Sequence, residues 1–74
     1  MTEFEILLEQ IERYKFIKYG GYVYLTQNML DRFTKEQKIK LFTFSMARCI
    51  MIKVALKNGK WGILKGNGEV KECT

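Results

Sequence analysis

Phe4, Leu7, Leu8, Ile11 and Tyr14 recur at helical spacing, and Thr2 followed by Glu5 forms a capping-box pattern ahead of them. This predicts an amphipathic helix over residues 3–14. The period then shortens to two: Val23 and Leu25 alternate with Tyr22 and Tyr24, which predicts a strand over residues 22–25. Gly20 and Gly21 lead into it by either a tight hairpin or a glycine kink. Thr26 is placed to cap a short helix that presents Met29, Leu30 and Phe33 together.

Two readings compete after Phe33. Thr34 and Gln37 match a second capping box, which would open a helix from Lys35 toward Arg48. Against it, K-I-K-L-F-T-F alternates strictly, and C-I-M-I-K-V-A-L sets Ile50, Ile52, Val54 and Leu56 on one face with Lys53 opposite. The alternation favours two strands. Asn58-Gly59 then marks a hairpin and Gly66-Asn67-Gly68 a further turn, so a β-meander closes the chain with Trp61, Ile63 and Val70 on its inner side. The expected fold is α+β in one domain over residues 1–74: an N-terminal amphipathic helix, a small swapped-hairpin-like β unit with one short helix, and a C-terminal β-hairpin. The expected core is Val23, Leu25, Met29, Phe33, Leu41, Ile50, Ile52 and Val54.

A chain of 74 residues buries only about 60% of its unfolded surface, so a lone core is marginal and a homodimer is expected. Charge changes the picture more than composition does. The net charge is +5, yet Glu3, Glu5, Glu9 and Glu12 all precede the first base, Arg13, so the leader carries −4 and the remainder +9. Acids at the start of a helix suit its dipole, whereas the basic remainder favours an anionic partner, nucleic acid foremost. The acidic start lacks the cationic character of a secretory leader, and no apolar run approaches a membrane span. A cytoplasmic, reducing setting is expected, with Cys49 in its apolar run read as a buried structural thiol.

Catalysis finds little to work with. There is no His, one Asp and one Ser, Ser45, and the two cysteines lack a metal-binding spacing. No phosphate-cradling glycine motif occurs. The expectation is a non-enzyme with no cofactor and no metal.

The run G-Y-V-Y-L-T-Q-N-M-L-D-R-F, with K-I-K-L-F-T-F and I-M-I-K-V after it, resembles the swapped-hairpin pattern of the AbrB and MazE superfamily over residues 21–56. Gly21, Val23, Leu25, Met29 and Phe33 take the matching packing positions. The resemblance implies two interleaved subunits and a dimeric transcriptional or antitoxin-like regulator that binds DNA. Members that bind DNA carry arginines where this chain has Tyr22, Leu30 and Asp31, and Thr26 stands for the usual proline. Nucleic-acid contacts are therefore expected from Lys15, Lys18, Gln27, Asn28, Arg32, Lys35, Lys38 and Lys40, with Tyr19, Tyr22 and Tyr24 suited to stacking. The segment N-G-K-W-G-I-L-K-G-N-G-E-V is also similar to one hairpin of WG-type β-repeats. The alternative function is a small protein, of the kind viruses and mobile elements encode, that binds and inhibits or adapts a larger host protein.

Overall fold

A computed structural model describes residues 1–17 and 21–73, with side chains described for 1–13 and 21–73. The chain is α+β. Helix α1 (Glu3–Ile17) is followed by strand β1 (Gly21–Thr26), the short helix α2 (Gln27–Asp31), helix α3 (Lys35–Met46), and strands β2 (Ile50–Ala55), β3 (Trp61–Leu64) and β4 (Val70–Glu72). The strands form one mixed sheet in the order β1-β2-β3-β4. β1 and β2 are parallel, and β2–β3 and β3–β4 are antiparallel.

Both capping boxes form. At α1 the Thr2 backbone N–H donates to Glu5 Oε1 and the Glu5 N–H to Thr2 Oγ1, each at 3.2 Å. At α3 the Thr34 N–H donates to Gln37 Oε1 at 2.9 Å and the Gln37 N–H to Thr34 Oγ1 at 3.1 Å. Thr26 caps α2 by accepting from the Met29 N–H. These bonds satisfy N–H groups that the first turn of a helix leaves without partners.

The stretch expected as a strand, K-I-K-L-F-T-F, is helical and lies within α3. The physical reason is topological. Two parallel neighbours must be joined by a crossover of a dozen or more residues, and α2 with α3 is that crossover. The resemblance to the swapped-hairpin superfamily counts this stretch as a strand; here β1 finds its partner, β2, within its own chain.

The core lies between the helices and one face of the sheet. Phe4, Leu7 and Ile11 of α1, Leu30 of α2 and Leu41 of α3 pack with Leu25, Ile50, Ile52, Val54 and Leu64 from the strands, and Phe33 joins them from the turn after α2. Of the expected core, Val23 and Met29 are partly buried and pack against this cluster, and the rest are buried. Phe4 and Phe33 meet edge to face at 5.4 Å. The turns fall where expected: Gly59 and Gly68 both have φ of 84°, a conformation that favours glycine.

Two placements differ from expectation. Trp61 and Ile63 face away from the core, and Gly62 and Leu64 are the buried residues of β3. A Cβ on Gly62 would meet Val70 Cγ1 at 2.5 Å, so the inward position must lack a side chain and the apolar periodicity of β3 points the wrong way. Cys49, expected to be buried, is exposed and has φ of 57°, because it occupies the turn between α3 and β2 rather than a strand.

Candidate nucleic-acid interface

All the helices that pack on the sheet cover the side bearing Leu25, Ile50, Ile52, Val54 and Leu64. The period-two rule sends the intervening residues to the other side. That side carries Tyr22, Tyr24 and Thr26 from β1, Met51, Lys53 and Ala55 from β2, Trp61 and Ile63 from β3, and Lys71 from β4, in register across the sheet.

Three aromatics and a lysine organise this face. Tyr24 is 61% and Trp61 47% exposed, and their rings meet edge to face with centroids 5.6 Å apart. Tyr22 lies 6.4 Å from Tyr24, and Lys53 Nζ sits 4.1 Å above the Tyr22 ring, within the range of a cation–π contact. Exposed rings that pack on one another are held in place while leaving π-surface open to solvent. No acid occupies an outward position on any described strand. Among the described residues neither Lys53 nor Lys71 belongs to an ion pair.

The residues expected to contact nucleic acid are distributed differently. Lys18 lies outside the described residues, and Lys15 falls in α1 without a described side chain. Gln27 Oε1 accepts from the Lys57 N–H at 3.0 Å, tying α2 to the β2–β3 turn. Asn28 is exposed on α2. Arg32 is held by Glu3, with Nε and Nη2 donating to the two carboxylate oxygens at 3.2 and 3.0 Å. Lys35, Lys38 and Lys40 lie on α3, and a shallow hollow brings Gln27 and Lys38 together beside Asp31 and Glu69. That helical side is therefore mixed in charge, whereas the outward strand positions of the sheet carry Lys53 and Lys71 and no acid, with Glu72 beside Lys71 at the β4 edge.

Sequence reasoning missed Trp61, Lys53 and Lys71 as members of a site. Part of the signal was present: Ile50, Ile52 and Val54 inward forces Lys53 outward. The adjacency of β1 to β2, which brings Lys53 over Tyr22, has no local signature.

Elsewhere the described residues offer little chemistry. No group of three or more His, Cys, Asp or Glu among them is placed to hold a metal, and no helix among them is long and apolar enough to cross a membrane. Comparisons of the chain with protein-family models, with curated proteins and with solved structures find no match.

Proposed function

We propose that this chain is a small basic module that binds single-stranded nucleic acid on the open face of its sheet, with a regulatory role exerted through that binding. The observation that carries this reading is the Tyr24–Trp61 pair, with Tyr22 and Lys53 beside it, on a face whose outward strand positions carry no acid. Unpaired bases expose π-faces that stack on such rings, each worth about 1–3 kcal/mol. Lys53 and Lys71 supply attraction to phosphates. In a duplex the base faces are occupied by their neighbours and only groove edges are open, so a broad aromatic sheet suits single strands better than double.

A protein partner is the competing reading, since exposed Tyr, Trp and Met also anchor protein interfaces. The charge asymmetry of the face favours the polyanion.

The chain has a single tryptophan, and it stands on the proposed surface. Titration with a thymidine homopolymer is expected to quench Trp61 emission, with affinity falling steeply as salt rises. Duplex of equal length is expected to bind more weakly, and Tyr24→Ala to weaken single-strand binding roughly 5- to 100-fold with the far-UV circular dichroism unchanged. An emission spectrum indifferent to single strands at low salt overturns the proposal and favours a protein partner.

A further inference from the structure

Among the described residues β1 ends the strand order on one side and pairs only with β2, so its other side is an edge. Exposed edges invite pairing with another chain, and proteins blunt them by shortness, charge, proline or a bulge. The opposite edge, β4, follows that practice: it spans three residues, Val70–Glu72, two of them charged. β1 does not. Its six residues, G-Y-V-Y-L-T, contain no charge and no proline, and the register with β2 runs without a break from Gly21↔Ile50 to Thr26↔Ala55. In a chain with thirteen Lys and Arg, the long edge is the uncharged one.

We infer that β1 pairs antiparallel with β1 of a second copy, joining two four-stranded sheets into one of eight strands. Three observations select a second copy over an unrelated strand. An antiparallel pairing of identical strands is self-complementary about a two-fold axis. The two faces of the strand also match themselves: Val23 and Leu25 of both copies lie on the core side, where half-buried Val23 gains cover, while Tyr22 and Tyr24 of both lie on the open side. Finally, β1 brings no like charges together across the axis, although each copy is +5 overall. Strand pairing at about 4.8 Å per step sets the tyrosines of the two copies side by side and separates the two Trp61 residues by five strand spacings, about 24 Å measured across the strands, on one continuous aromatic face. The dimer rests on the geometry of the edge; its use as an enlarged platform rests on the nucleic-acid reading.

The test uses the full chain without nucleic acid, so its outcome is independent of the Trp61 titration. Sedimentation equilibrium over a wide concentration range is paired with amide hydrogen exchange read at the lowest and highest concentrations. The expected result is a monomer–dimer equilibrium in which alternate β1 amides, those directed away from β2, slow at least 10-fold as dimer accumulates. Val23→Pro and Tyr24→Pro supply a second arm. Successive N–H groups along a strand point to opposite sides, so one of the two prolines removes only an edge-facing donor, which an edge strand tolerates. That variant is expected to keep the native circular dichroism and to remain monomeric. A monomer at every concentration overturns the inference, as does a dimer whose β1 amides exchange unchanged, or a folded edge-proline variant that still dimerises.

Discussion

Ser45 is the buried polar residue of the described core, 1% exposed, and its Oγ has no hydrogen-bond partner there. It sits on α3 one turn after Leu41, and shares a small gap with Ile50 and Leu64 that the exposed Met46 and Met51 also line. A buried hydroxyl without a partner forfeits its hydration, at a cost of about 1–3 kcal/mol. Ser45→Ala removes that cost and one small atom, and is expected to raise stability by about 1 kcal/mol in urea unfolding; a loss of stability would show that the hydroxyl is satisfied. The same residue explains part of what could not be read from the chain. One of the two fully buried positions of α3 is a serine, so its helical stripe is nearly invisible, while Ile39, Leu41 and the flanking lysines present an alternation that imitates a strand.

One polar side chain adds to the apolar packing between α3 and α1. Arg48 follows α3 and reaches back: its Nε donates to Glu12 Oε2 at 2.6 Å, its Nη1 donates to the Phe44 carbonyl at 2.9 Å, and its guanidinium lies 3.6 Å from the centroid of the Phe44 ring. The ion pair with Glu12 is partly shielded, with the arginine side chain only 19% exposed. By contrast the Arg13–Glu9 and Lys57–Asp31 pairs are largely exposed and worth little. A lysine carries the charge but lacks the planar fork that serves the carboxylate, the carbonyl and the ring at once. Arg48→Lys is therefore expected to cost about 1–2 kcal/mol, measured by thermal unfolding, and Arg13→Lys almost nothing. At this scale the elements with local chemistry were legible: both capping boxes, the Thr26 cap, the alternation of β1 and β2, and the glycine turns. What distant partners decide was not: the alternation of residues 38–44 outweighed the capping box that opens α3, because the parallel crossover has no local signature, and the facing of β3 is set by the approach of Val70 to Gly62.

For the molecule as a whole, the helices and the sheet share one core with β2 near its middle. Ile50, Ile52 and Val54 are all buried, and β2 is flanked by β1 and β3. Ile52→Asp places an unpaired carboxylate among these residues and is expected to cost more than about 4 kcal/mol, enough to abolish the folded state of so small a chain, as loss of the cooperative unfolding transition would report. A folded Ile52→Asp protein would refute the core. The candidate site is a property of this scale as well. Tyr22, Lys53 and Trp61 belong to three strands, and their convergence exists only once the parallel pair and the meander have assembled.

That mixed pairing also dictates an order of assembly. The β2–β3–β4 meander closes through short turns, whereas Gly21 must find Ile50 across the whole α2–α3 crossover, and closing a long loop is entropically slower than closing a short one. On the ribosome β1 emerges well before its partner. During that interval its uncharged six residues lack their one neighbour in the chain, so the nascent chain is most exposed to mispairing before β2 arrives, and docking of β1 is the step expected to limit the folding rate.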